Sequence, residues 1–217
     1  MTQLFSRRTS RALRAALLIL PVLIGAVAAG LYFYTRSDQA WNVGVAAPQP
    51  IPFRHDIHAG SLGLDCRYCH SSVETAASAG MPSAQTCMTC HSQVWSGVAT
   101  LEPLRTSLAL DAPLEWTSVH KLPDHAFFHH GIHVSKGVAC ETCHGRVDQM
   151  SETVKTETLS MGWCLECHRD PGPELSAPEA VFSMGDATQQ AAGLPEDMLR
   201  LHDVLVDNLT DCSTCHR

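Results

Sequence analysis

Five times along this 217-residue chain, two cysteines stand two residues apart with a histidine directly behind the second. The pairs are Cys66/Cys69, Cys87/Cys90, Cys140/Cys143, Cys164/Cys167 and Cys212/Cys215, followed by His70, His91, His144, His168 and His216, and they use all ten cysteines. We number these CxxCH motifs 1 to 5 in chain order. Disulfides in an exported chain would employ ten cysteines but give no reason for a histidine after each pair. Zinc sites made of two CxxC pairs need an even number of pairs and no adjacent histidine. Covalent haem c uses every residue. Two thiols add to the porphyrin vinyl groups and the next histidine supplies the proximal iron ligand, so all three must lie within one turn. The motifs therefore read as five covalent haem c sites, with the ten cysteines as attachment points and the five histidines as proximal ligands.

Distal ligands must come from elsewhere, and an internal repeat points to them. FRHDIH (53–58) and FHHGIH (128–133) both fit F-x-H-x-x-H at an offset of 75. The motifs behind them begin at Cys66 and Cys140, offset 74, and run on as CHSSVE and CHGRVD; second motifs follow at Cys87 and Cys164, offset 77. Motifs 1 and 2 thus form one unit, motifs 3 and 4 a second, and motif 5 stands outside. On a helical turn, histidines three apart share a face, so both rings can reach iron on neighbouring haems. His55, His58, His130 and His133 are the first distal candidates, and the phenylalanine can cover a porphyrin edge. His129 competes with His130, but the repeat register favours His130. For the fifth iron the best remaining histidine is His120; His202 and the thioether of Met161 are weaker candidates, with His125 behind them. Trp163, one residue ahead of motif 4, reads as packing on a haem face.

The elements that hold these residues follow from the accounting. About 165 residues serve five haems, which leaves little chain for a conventional core. The expected fold class is mainly α and irregular, with short helices at the motifs, little or no sheet, and a core made by the haems. Residues 53–217 form the pentahaem domain: 53–95 carry motifs 1 and 2, 120–170 carry motifs 3 and 4, 171–211 form a proline-punctuated connector with one amphipathic helix near 195–207, and 212–217 carry motif 5. Such a connector suits contact with a partner.

Ahead of this domain, residues 1–14 are basic, with Arg7, Arg8, Arg11 and Arg14, and the run from Ala15 to Tyr34 has no charge. Twenty apolar residues span a bilayer core as a helix. Arginines before the run place the N-terminus in the cytoplasm, so 15–35 read as a single transmembrane anchor and 36–52 as a linker. A cleaved signal peptide with Ala26-Val27-Ala28 at its end is the competing reading, but the apolar run continues past that point. Either way the haem domain lies on the periplasmic side of a bacterial inner membrane. From residue 37 onward, ten Lys/Arg face 22 Asp/Glu, which argues against nucleic acid as a partner.

No motif replaces its histidine with lysine, the variant that marks the catalytic haem of pentahaem nitrite reductases, and there are distal candidates enough for every iron. An electron relay is therefore favoured over a multihaem reductase, and no residue is assigned a catalytic role. The run PLEWTSVHKLPDHAFFHHGIHVSKGVACETCHGRVDQM, then LSMGWCLECHR and the terminal DCSTCHR, together with the anchor, resembles the pentahaem cytochrome c subunit of alternative complex III. The resemblance implies an electron-transfer subunit of a quinol-oxidising respiratory or photosynthetic membrane complex. Its partners would be an iron–sulfur subunit, polytopic membrane subunits that bind quinol, and a monohaem cytochrome c. Electrons would pass on to a cytochrome, a cupredoxin or a terminal oxidase. The alternative is a stand-alone membrane-anchored quinol dehydrogenase feeding a periplasmic reductase.

Overall fold

Ser6 opens the first helix by accepting the backbone N–H of Thr9, and the uncharged stretch behind it continues without interruption as α1, Arg7–Tyr34. In this computed structural model, which describes residues 5–185 and 195–216, α1 has 28 residues and none of its side chains is buried. It is long and apolar enough to cross a membrane, and Pro21 lies within it, as membrane helices tolerate. The helix begins eight residues before the uncharged run and takes in the arginines. It stops where Thr35 and Ser37 turn their hydroxyls back onto helix carbonyls and Trp41 donates its indole N–H to the Thr35 carbonyl. This unit is Met1–Asn42; the second is Val43–Arg217.

The second unit is a series of short elements. The π-helical turn Asp56–Ser61 comes first, then α2 (Cys66–Cys69), α3 (Ala84–His91), α4 (Glu102–Leu110), α5 (His130–Ser135), α6 (Cys140–His144), α7 (Met161–Arg169), α8 (Pro195–Leu201) and α9 (Cys212–Cys215). Among the described residues, sheet-like pairing is confined to one isolated bridge, Val138 with Leu175. All five motifs are helical turns. Asp65 caps α2, Ser83 caps α3 and Ser160 caps α7, each with its side-chain oxygen on an early backbone N–H. The helix near 195–207 is shorter than the sequence suggested, ending at Leu201, with Asp203 in the left-handed region just after it. Helix α4 was not anticipated. It packs Leu104 against Ile51 and Ala84, with Leu114 and Trp116 beside them, a small side-chain core next to motif 2.

The two repeat units grip one another reciprocally. The Asp56 N–H donates to the Met150 carbonyl behind motif 3, and the Gly131 N–H donates to the Ala76 carbonyl behind motif 1. These are the same bond under the repeat offset, so the units are related by a pseudo-two-fold axis. Each histidine-bearing turn lies on the loop behind the other unit's motif. The approach is close: a Cβ on Gly131 would stand 2.7 Å from the Glu74 carbonyl oxygen, and one on Gly60 would meet the Asp148 carbonyl.

The connector proves to be structural. Its prolines set two 3-10 turns, Gly172–Glu174 and Pro178–Ala180, and it buries Leu175, Ser176, Ala180 and Val181. The Ser176 N–H reaches the Gly137 carbonyl and the Val181 carbonyl accepts the Cys140 N–H, so it buttresses motif 3. Residues 186–194 of the connector lie outside the described residues. Buried His202 donates Nε2–H to the Ser176 carbonyl at 2.8 Å, while Lys136 reaches the carbonyls of His202 and Asp203.

Two substitutions test these contacts. Gly131→Ala forces a methyl group into backbone and should destabilise the holoprotein by about 1–3 kcal/mol in a denaturant titration, whereas Gly97→Ala, with open space around it, should cost less than about 0.5 kcal/mol. His202→Phe should lose about 1 kcal/mol with its hydrogen bond and leave the haem spectrum unchanged.

Candidate haem sites

Each motif places its two cysteines at i and i+3 on one turn, so both thiols face the same side, and all ten are free. The proximal histidine follows, and in four of the five motifs its ring is held by a carbonyl. Nδ1–H of His70 donates to Gly80 at 2.7 Å, that of His91 to Val94 at 3.0 Å, that of His168 to Leu209 at 2.9 Å, and that of His216 to His125 at 2.9 Å. An imidazole whose Nδ1 carries the proton presents its Nε2 lone pair outward, which is the tautomer a metal requires.

The repeat histidines are held the same way. His58 donates from Nδ1 to the Arg54 carbonyl, His133 to that of His129, and His130 across the pseudo-dyad to that of Ala77; His55 Nδ1 bonds the Thr153 hydroxyl. Each phenylalanine packs on the histidines of its own turn. Phe53 stacks on His58 at 4.4 Å between centroids and meets His55 edge-on at 4.9 Å; Phe128 lies over His133 at 4.3 Å and meets His130 edge-on at 4.7 Å. One phenyl ring thus orients two imidazoles. His129 caps α5, its Nδ1 accepting the Ile132 N–H, and the His130 ring is the one that faces a proximal histidine.

Four facing pairs result. Ring centroids are 6.2 Å apart for His58 and His91, 6.3 Å for His130 and His144, 6.0 Å for His133 and His168, and 5.8 Å for His125 and His216. A metal–imidazole bond of about 2 Å on each side puts the centroids of two axial rings roughly 6 Å apart. The last three pairs are inclined by only 13°, 25° and 23°. His55 is left for His70, whose proximity, after burial itself, pushes the His55 pKa down to about 4. Burial likewise pushes His144 down to about 3 and lowers His133. These rings are neutral, as ligands must be. The donor set and its spacing fit haem c.

The remaining candidates are placed differently. His120 sits edge-on to His144 at 4.3 Å, too close to share a metal between them, and its buried Nε2 has no partner. His125, ranked last among the histidines, faces His216 instead, because the Phe127 N–H bonds the Cys215 carbonyl. That contact joins segments about 90 positions apart and leaves no trace in local spacing. His202 spends Nε2 on Ser176. Met161 is the first residue of α7 and 62% exposed. Trp163 is half-buried, its backbone N–H held by the Ser160 cap.

Comparison with known proteins places part of this arrangement. Residues 51–99 match the family model described as cytochrome c7 and related cytochrome c, a span that holds the π-helical turn and motifs 1 and 2. Over 131 residues the chain is 32% identical to the menaquinone reductase, multiheme cytochrome c subunit, of Nitratidesulfovibrio vulgaris (strain Hildenborough), an alignment covering 60% of this chain and 56% of the relative. The chain therefore spans about half the length of the curated relative it matches. With its helical and irregular architecture and these matches, Val43–Arg217 contains a multihaem cytochrome c domain.

Proposed function

We propose that this chain is a membrane-anchored pentahaem cytochrome that relays single electrons within a quinone-linked membrane complex, most closely of the alternative complex III type. The observation that carries the reading is the set of facing histidine pairs. A proximal and a distal imidazole whose rings stand about 6 Å apart would hold an iron between them and leave it no open position for a substrate. Bound haem c supplies an iron that changes by one electron between ferric and ferrous states. The chain's residues do the rest: thiols fix each porphyrin, carbonyls hold the Nδ1 protons, and Phe53 and Phe128 set the ring planes.

Under this reading the ten motif cysteines hold five haems, and His70, His91, His144, His168 and His216 are the proximal ligands. His55, His58, His130, His133 and, in place of His120, His125 are distal. Helix α1 is the anchor in an inner membrane, and the haem domain is periplasmic. The partners are an iron–sulfur subunit, polytopic quinone-binding subunits and a monohaem cytochrome c. A second reading has a specific support, the likeness to a menaquinone reductase subunit: the same wire would then carry electrons toward quinone.

Purification from membranes in mild detergent, with haem staining and mass spectrometry, tests the assembly. Polytopic and iron–sulfur subunits travelling with a chain that bears five haems support the proposal, and a lone chain accepting electrons from quinol overturns it. Carbon monoxide should bind the reduced protein at well below one equivalent. His125→Ala should convert one haem to the high-spin state in the ferric spectrum, while His120→Ala should leave all of them low-spin; the reverse result would return the fifth ligand to His120.

A further inference from the structure

The contacts between motifs do not follow chain order. Motif 1 touches motif 2 through the residues between their cysteines, the Tyr68 hydroxyl lying 2.7 Å from that of Thr89. Motif 1 meets motif 3 across the pseudo-dyad, where the loop behind each motif accepts a backbone N–H from the other unit's histidine turn and the thiols of Cys66 and Cys140 are near enough to interact. On the same side Arg67 of motif 1 lies over the Phe182 ring at 4.3 Å, next to Val181, whose carbonyl holds the Cys140 N–H. Motifs 3 and 4 are joined through α5, whose His130 and His133 face His144 and His168, and Cys143 lies close enough to Cys164 and Cys167 to interact with both thiols. Motif 4 reaches motif 5 through His168 Nδ1 and the Leu209 carbonyl, three residues before Cys212.

Resting on the reading of the five motifs as haem sites, we propose that those sites stand in single file in the order motif 2, motif 1, motif 3, motif 4, motif 5. Thioether bonds tie the porphyrin edge to the cysteine sulfurs, so a contact between the thiols of two motifs brings two porphyrin edges together. The approach of motifs 1 and 3 on the pseudo-dyad, fixed by the reciprocal backbone bonds of Asp56 and Gly131, is the junction that makes two two-haem units one wire. The file also has two distinct ends. Of the ten cysteines, only Cys90 of motif 2 and Cys212 of motif 5 are exposed, one at each terminus of the proposed order. Electrons enter at one of these ends and leave at the other, and the chain's first haem motif is an interior site.

The order fixes how many neighbours each haem has, and that number can be counted. Removing a distal ligand makes one ferric haem high-spin, and its magnetism perturbs the low-spin resonances of the haems beside it. Mass spectrometry of the wild type comes first: fewer than five haems would overturn the site reading on which the file rests, independently of the order. With five present, electron paramagnetic resonance of His58→Gly, at motif 2, should show one perturbed low-spin haem, and His133→Gly, at motif 4, should show two. Two perturbed haems in His58→Gly, or one in His133→Gly, would overturn the order. Should either glycine variant fail to accumulate, methionine at the same position keeps six ligands and raises that haem's potential. The number of other midpoints that shift in a redox titration then gives the same count.

Discussion

The structure depends on a pair of hydrogen bonds that are one bond made twice. Asp56 N–H to Met150 and Gly131 N–H to Ala76 lock each histidine-bearing turn onto the loop behind the other unit's first motif. Neither unit could place its own turn so firmly, because the acceptor carbonyls belong to the partner unit. The exchange explains why Gly60 and Gly131 lack side chains: both sit where a Cβ would strike a backbone carbonyl. It also explains why motif 1 lies against motif 3 and not only against its sequence neighbour. A duplicated haem-binding segment thereby becomes one body, with its first and third motifs on the shared axis.

From that grip the ligand geometry follows. The π-helical turn and α5 differ in hydrogen bonding, yet each presents two imidazoles with the same phenylalanine stacked on the second and edge-on to the first. An imidazole is free to rotate about its side-chain bonds, and a rotating ligand would not hold one iron geometry. Tying Nδ1–H to a carbonyl and pressing a phenyl ring on one face removes that freedom before any metal is bound. The acceptors come from many places: Gly80, Val94 and Arg54 are local, but Leu209 and Ala77 are distant in sequence. Orientation of the ligands is therefore a tertiary property even though the motifs are local.

This division sets what could be read from the sequence. The motifs, the repeat, the long apolar helix and, among the described residues, the absence of extended sheet were legible, because each is governed by spacing within a few residues or by apolar length. The F-x-H-x-x-H turns were legible as histidine carriers, while the packing of each phenylalanine on two imidazoles was not. The facing of His125 and His216 was out of reach, since the bonds that bring them together join segments about 90 residues apart. The inward packing of the connector was not legible, because prolines at 171, 173, 178 and 195 look like loop. The first three set tight turns that send Leu175, Ala180 and Val181 inward. Proline marks the turn and says nothing of which way the next side chain points.

The smallness of the side-chain core gives the haems a structural part. Among the described residues the buried apolar side chains are Ile51, Val73, Ala84, Leu104, Ala139, Leu175, Ala180 and Val181, five of them alanine or valine. Ordering a chain of this length costs about 1–2 kcal/mol per residue in backbone entropy. Burying a large aliphatic side chain returns only about 1.5–3 kcal/mol, and just three of these eight are leucine or isoleucine. Side-chain burial of this extent cannot offset the ordering of Val43–Arg217. Bound porphyrins would supply the missing apolar surface at the motif cysteines, eight of which are half-buried. Haem attachment and folding are on this argument one process, and the reciprocal backbone bonds supply its register rather than its driving force.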